Sequence, residues 1–172
     1  AIFINPVDWK TVKPALQACE EAGIPVFDVD TLVYDMEYIV STIISDNYNA
    51  GVQCAQDIMK KRSNAKIIVL NDPTTSSIIE RVQGFKDTLE GNSNYVIVRE
   101  EAGRGELEVS MEVMMDILQD KTEFDVVFGG NDPTALGALA ALQANHASEG
   151  VLIYGVDGSP DGKTMIRQGY LE

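Results

Sequence analysis

The sequence is poor in the residue types on which many catalytic and metal sites depend. It contains one histidine, one tryptophan and two cysteines among 172 residues. Cys19 and Cys54 fall in helix-like segments without metal-site spacing, so we interpret them as small buried hydrophobic residues. His146 falls at the end of a predicted helix, where a cation is favoured. With no nucleophile–histidine pattern and no dinucleotide fingerprint, the sequence does not favour an enzyme, and neither a cofactor nor a metal is expected.

Basic residues are also scarce. Thirteen Lys and Arg residues stand against 27 Asp and Glu residues, which gives a formal net charge of −14. Such a surface repels phosphate backbones and anionic lipid, so nucleic-acid binding through this chain is not expected. No apolar run approaches the roughly 20 residues that span a bilayer, so membrane insertion is not expected either.

The sequence does contain a regular alternation of short apolar runs and helix-length segments. Strands are predicted at AIFIN, IPVFDVD, residues 41–45, AKIIVLND, NYVIVREEA, FDVVFGGN and GVLIYGVDG. The first helix is predicted over DWKTVKPALQACEEAG, and PDGKTMIRQGYLE is predicted to hold the last helix. This alternation predicts an α/β fold, with a Rossmann-like parallel sheet and helices on both of its faces. The connection after Asp30 is unusually long, and a boundary between two lobes is predicted near residues 45–47.

Beyond the first predicted strand, five strands place Asp or Asn at their carboxyl ends. These residues are Asp30, Asp46 with Asn47, Asn71 with Asp72, Asn131 with Asp132, and Asp157. Ligands of open parallel sheets bind at the carboxyl ends of the strands, and these side chains hydrogen-bond readily to vicinal hydroxyls. Helix N-caps prefer the same residue types, however. For Asp30 and Asn47, ligand contact and capping remain equally open.

The remaining strand-end residues can be assigned more clearly, either to helix capping or to ligand contact. Asp72 and Asp132 are predicted to cap helices, because Asp132 precedes Pro133, a residue suited to a first helical turn. Asn131 then lies one residue before the cap, so we expect its amide to face the crevice. Ser159 is the better cap candidate for the last helix, which leaves Asp157 as a predicted ligand contact.

Two arginines accompany these acidic residues. Ser76 or Ser77 is predicted to cap a helix whose first turns contain Arg81, where the helix dipole disfavours a cation. A carboxylate-rich cleft or an oxygen-rich ligand would explain Arg81, and a solvated surface arginine is an equal alternative. Arg104 lies between two glycines, which predicts a turn, with ligand contact as the second possibility.

Several of these segments together resemble a known family. INPVD, AGIPVFDVD, ISDNYNAG, ERVQGF, GGNDPTALGALAAL and GVDGSPDGKTMIRQG occur in order and, over essentially the whole chain, resemble the ribose/galactose-type sugar-binding proteins of bacterial ABC transporters. The resemblance implies the type I periplasmic binding fold, in which two Rossmann-like lobes close on a sugar. Residues 1–45 would then be the end of the N-terminal lobe and the first hinge crossover. Residues 46–172 would be a C-terminal lobe that is incomplete at its end.

The resemblance also implies a function and a set of contacts. A monosaccharide or related polyol would be bound outside the cytoplasm and delivered to a permease, without catalysis. By position, the implied sugar contacts are Asp30, Asn47, Arg81, Arg104, Asn131 and Asp157. The alternative is the effector-binding domain of a lactose-repressor-class transcriptional regulator, which shares the fold.

The chain departs from the ribose-binding pattern at three positions. Thr31 stands where ribose binders have arginine, and Val156 and Arg104 stand where aromatic residues are usual. Because sugar faces stack on aromatic rings, the resemblance does not single out ribose as the ligand.

Overall fold

Two separate parallel sheets organise the protein, as seen in a computed structural model that describes residues 1–172. The first sheet contains β1 (Ile2–Ile4), β2 (Val26–Val29) and β3 (Ile39–Ile43) in the order β1-β2-β3. The second contains β4 (Ala65–Asn71), β5 (Tyr95–Ala102), β6 (Val126–Gly129) and β7 (Leu152–Tyr154) in the order β5-β4-β6-β7. Every strand pair is parallel, so the predicted α/β class is confirmed.

Six α-helices connect and cover the strands. They are α1 (Lys13–Glu21), α2 (Asn47–Lys61), α3 (Ser76–Leu89), α4 (Leu107–Gln119), α5 (Asp132–Ala144) and α6 (Pro160–Arg167). A short 3-10 turn, Met36–Tyr38, precedes β3 in the long connection after β2. None of the helices combines the length and the apolar character that crossing a bilayer requires.

The central strand β4 explains why helices lie on both faces of the second sheet. Ile67, Ile68, Val69 and Leu70 are all fully buried. Because successive side chains of a strand point to opposite faces, Ile67 and Val69 join one core cluster and Ile68 and Leu70 join another. Each such side chain contributes about 1.5–3 kcal/mol on burial, so both faces must be covered.

Helices α2 and α3 touch through their backbones. A Cβ added to Gly51 would lie 1.8 Å from the Arg81 carbonyl oxygen, and one added to Gly84 would lie 2.0 Å from the Tyr48 carbonyl oxygen. Only glycine fits at these two crossing points. This close approach fixes the start of α2 against the middle of α3, where Arg81 lies.

The start of the first helix and the position of the third strand differ from the predictions. The first helix begins at Lys13 and not at Asp8, because the Asp8 carboxylate accepts the backbone N–H groups of Lys10 and Thr11 and holds a turn. The last helix ends at Arg167, and Gly169 takes a left-handed φ of 77° just beyond it. The third strand also lies two residues earlier than expected.

The two cysteines are partly exposed and not fully buried as predicted. Both are free thiols, and each packs against the edge of a core cluster. Burial and the nearby Asp57 carboxylate raise the pKa of Cys54 to about 11. The thiol therefore keeps its proton at neutral pH, in keeping with a packing role.

Candidate functional site

A polar cleft of about 650 Å³ lies where the carboxyl ends of the two sheets face each other. Its walls come from segments that follow or end six strands, and they comprise Asn5, Pro6, Val7, Asp30, Thr31, Asp72, Pro73, Thr74, Thr75, Ser77, Ile78, Arg81, Ala102, Arg104, Gly105, Glu106, Asn131 and Asp157. This is the strand-end position at which open parallel sheets bind ligands. None of these residues is aromatic, so the groups available to a ligand are mainly hydrogen-bonding groups.

Arg81 is the buried anchor of the cleft. Its Nε donates to Asn47 Oδ1 at 3.0 Å, and its Nη1 donates to the Gly130 carbonyl at 2.9 Å. Nη1 also lies 2.8 Å from Asp157 Oδ1. Because only 7% of the Arg81 side chain is exposed, the alternative of a solvated surface arginine is wrong. The guanidinium keeps N–H groups beyond these bonds, and those on Nη2 have no protein partner.

Asn47 is placed behind Arg81 and does not line the cleft. It is the first residue of α2, and its side chain is almost fully buried. Asp46 caps this helix by accepting the Asn49 N–H, which sets the direction of the first turn. With the glycine crossing of α2 and α3, this arrangement orients Asn47 to support the arginine.

Asp157 presents a carboxylate at the end of β7 from an unusual backbone conformation, with φ at 116°. Burial raises the pKa of Asp157, while the Arg81 guanidinium opposes that rise and the nearby Asp132 carboxylate adds to it. Ser159 caps α6 as predicted, since its Oγ accepts the Gly162 N–H at 3.0 Å. Asp157 therefore does not cap α6, and it lines the cleft beside Arg81.

The predicted roles of Asn131 and Asp132 need correction. Asn131 is the N-cap of α5: its Oδ1 accepts the Thr134 N–H at 3.0 Å and its Nδ2 donates to the Gly105 carbonyl at 3.1 Å. Asp132 is the first helical residue and accepts the Ser159 N–H. The extended backbone at Asn131 lets its side chain fold over the helix start, so Asn131 caps the helix and lines the cleft together.

The caps predicted for α3 are also wrong. Thr75 occupies the N-cap position and makes no side-chain capping bond, while Ser76 and Ser77 lie inside the helix. Asp72 accepts hydrogen bonds from Thr74 N and Oγ1 and from Thr75 Oγ1, at 2.6 to 2.9 Å. Its carboxylate organises the loop before the helix and does not cap the helix directly.

Three cleft residues share a left-handed or otherwise rare backbone. Asp30 has a φ of 73° and Arg104 a φ of 54°, in addition to Asp157. Such conformations cost about 1–3 kcal/mol each and collect at functional sites. The Asp30 carboxylate accepts from Asn5 Nδ2, whereas the Arg104 guanidinium is exposed and has no ion pair or hydrogen bond within the protein.

The structure thus gathers most of the predicted site residues and adds others. Asp30, Arg81, Arg104, Asn131 and Asp157 share the cleft, and Asn47 supports it from behind. Asn5 was missed, although it ends the first predicted strand and the same strand-end rule would have identified it. Thr31 and Ser77 were missed as well, because their proximity depends on how the two sheets meet.

Two parallel α/β units that meet at a polar strand-end cleft define the class of type I periplasmic binding folds. The sequence matches the family described as periplasmic binding protein domain over residues 1–172. The chain belongs to this family.

Individual relatives support the same assignment. The ribose import binding protein of Escherichia coli K12 is 34% identical, over 99% of this chain and 57% of the relative. A Bacillus halodurans ABC transporter solute-binding protein with bound myo-inositol is 25% identical, with a TM-score of 0.91 over 100% of this chain and 61% of that one. An Agrobacterium vitis protein with bound D-fucose is 28% identical, with a TM-score of 0.90 and the same coverage. The chain therefore spans little more than half the length of these relatives.

Proposed function

We propose that the protein binds a monosaccharide or related polyol for a sugar ABC transporter and delivers it to the permease. The observation that carries this proposal is the cleft itself, where hydrogen-bonding side chains from six strand ends converge and no aromatic side chain intrudes. Sugars and cyclitols present many hydroxyls, each of which donates and accepts hydrogen bonds. The cleft supplies both kinds of partner at short range.

The proposed contacts divide by chemistry. Asp30 and Asp157 accept hydrogen bonds from ligand hydroxyls through charge-assisted bonds. Arg81 donates from its free Nη2, and Arg104 donates from a guanidinium without a protein partner. Asn131 keeps a second N–H and a second lone pair beyond its cap and loop bonds. Asn47 acts through Arg81 and not by direct contact.

The ligand proposal is broader than ribose. In place of a guanidinium, Thr31 has a buried hydroxyl that is already hydrogen-bonded to Ser77. Arg104 presents a charge where an aromatic ring would stack. A ring that carries hydroxyls on both faces suits this surface better than one with an extended apolar face. The myo-inositol bound by one relative is such a ring.

The remaining features of the proposal follow from the family. The chain would act outside the cytoplasm, as periplasmic binding proteins do, and it would release its ligand chemically unchanged. Residues 1–45 and 46–172 would belong to two lobes, in line with the two separate sheets. The named relatives are import binding proteins and ABC solute-binding proteins, which favours transport over the regulator alternative.

Isothermal titration calorimetry tests this function directly. The protein in its full natural length is titrated with a panel of neutral pentoses, hexoses and cyclitols. We expect saturable binding of at least one of them with one site per chain. The absence of binding across the whole panel would contradict the proposal.

A further inference from the structure

The start of α3 is hydrogen-bonded to the turn that carries Asp30 and follows strand β2 of the first sheet. Thr31 Oγ1 and Ser77 Oγ are hydrogen-bonded at 3.2 Å, and Ser76 Oγ donates to the Leu32 carbonyl at 3.0 Å. Thr31 is 2% exposed, and both serines are 5% exposed. These are the side-chain bonds that join the first-sheet turn to the second-sheet helix; the Thr31–Ser77 bond is buried, and the Ser76–Leu32 bond is partly buried.

The backbone of this turn is strained at Asp30. Asp30 holds its φ of 73° while its N–H donates to the Ile43 carbonyl at 2.9 Å. A non-glycine residue in this conformation persists only where its surroundings over-determine it. The sheet bond fixes the residue on one side, and the bonds to Thr31 and Leu32 fix the next two residues from α3.

Helix α3 also carries Arg81, which lies four residues after Ser77. Residues four apart lie on the same face of a helix, so the serine that holds the Asp30 turn and the arginine that lines the cleft form one row. Ser77 and Arg81 both line the cleft. A single rigid helix therefore sets the positions of polar groups that reach the ligand from both sheets.

We propose that Ser76 and Ser77 are positioning residues that hold the Asp30 turn, and with it the Asp30 carboxylate, ready for the ligand. This inference rests on the proposed sugar-binding function. When the first-sheet turn docks on α3, the carboxylate of Asp30 is held in the cleft that Arg81 also lines. When the turn is released, the carboxylate loses its fixed position.

The buried bond between Thr31 and Ser77 predicts a specific pattern of binding constants. Ser77→Ala and Thr31→Val each remove the same hydrogen bond, and each is expected to raise the ligand Kd about 3- to 10-fold, chiefly through faster dissociation. The double variant is expected to lose little more than either single variant, because the bond can be lost only once. Thr31→Ser keeps the hydroxyl and should stay close to the wild type.

Ser93→Ala provides a matched control, since Ser93 is exposed and makes no side-chain hydrogen bond. It should leave the Kd unchanged. Ser77→Ala and Thr31→Val delete the bond from opposite sides, so a Kd from one of them still tests the bond if the other variant fails to fold. Both Kd values within twofold of the wild type, or fully additive losses in the double variant, would overturn the proposal.

A second measurement needs no ligand. Spin labels at the exposed residues Glu20 on α1 and Gln119 on α4, with both native cysteines replaced by serine, report the separation of the two sheets. We expect Ser77→Ala to broaden or lengthen the distance distribution of the ligand-free protein relative to Ser93→Ala. Identical distributions would overturn the positioning role, whereas a failed sugar panel would overturn only the proposed function.

Discussion

Arg81 and Asp157 form an ion pair of unequal exposure in the wall of the cleft. The Nη1–Oδ1 distance is 2.8 Å, and the two side chains are 7% and 39% exposed. The arginine is fixed by Asn47 and Gly130, while the carboxylate remains half open to the cleft. The pair therefore combines a structural cation with an acceptor that a ligand can reach.

Replacing Arg81 by lysine tests whether stability and binding need the several N–H donors of the guanidinium. Lysine cannot reach Asn47, Gly130 and Asp157 together, so we expect a loss of about 1–3 kcal/mol in unfolding free energy and weaker sugar binding. Urea unfolding and calorimetry measure the two effects. Arg99→Lys is the control, because Arg99 pairs with acidic residues at the surface and should cost under about 1 kcal/mol. Equal losses in both variants would show that Arg81 has no special role.

The raised pKa of Asp157 predicts opposite effects of pH on binding and on stability. Its carboxylate is the form that accepts ligand hydroxyls, so affinity should fall as the pH is lowered through the raised pKa. Because the folded pKa lies above the unfolded value, the stability contribution of this group is present at low pH and lost as the pH rises through the folded pKa.

Calorimetry and urea unfolding between pH 4 and pH 7 check both signs, with Asp157→Asn as the control because it does not titrate. Asparagine also tolerates positive φ better than most residues. The variant should bind weakly at every pH and show a flatter profile. An unchanged pH profile in Asp157→Asn would show that another group is responsible.

Two substitutions of Asn131 separate its cap from its loop contact. Asn131→Asp keeps an oxygen for the Thr134 N–H but loses the donor to the Gly105 carbonyl. We expect it to preserve helix stability while weakening ligand binding through a looser Arg104–Gly105 turn. Asn131→Ala loses both bonds and should cost about 1 kcal/mol of unfolding free energy in addition. If both variants lose stability equally and bind normally, Asn131 acts only in folding.

Arg104→Met tests the specificity of the cleft. The side chain is exposed and unpaired within the protein, so stability should stay within about 0.5 kcal/mol of the wild type. Affinity for a fully hydroxylated ligand should fall about tenfold, because a charged donor is lost, while affinity for deoxy analogues should change less. Comparing the ratio of the two Kd values between wild type and variant measures this effect. An unchanged ratio would exclude Arg104 from the site.

The fold was largely predictable because its signals are local. The buried run of β4 and the regular strand–helix alternation arise from side-chain periodicity, which a sequence displays directly. The start of the first helix was not predictable in the same way. The sequence from Asp8 onward has a helix-like pattern, but the Asp8 side chain forms a turn there instead. Capping errors at Asp72 and Asp132 have a similar origin, because adjacent polar residues compete for the same N–H groups.

The site was predictable only as a set of strand ends. Parallel strands bring their carboxyl ends to one edge, so Asp30, Asn131 and Asp157 could be expected to converge. The residues that support the cleft from behind were not predictable. The contact of Asn47 with Arg81 depends on the backbone crossing of α2 and α3 at Gly51 and Gly84. No short segment of the sequence encodes long-range geometry of this kind.

A crystal structure of the protein in its full natural length, with its best ligand from the sugar panel, tests the central claim most directly. We predict density for one hydroxylated ring in the cleft, with hydroxyls within about 3.2 Å of Asp157, Arg81 and Asp30. A ligand bound elsewhere on the surface, or a cleft closed without contacts to these three side chains, would contradict the account.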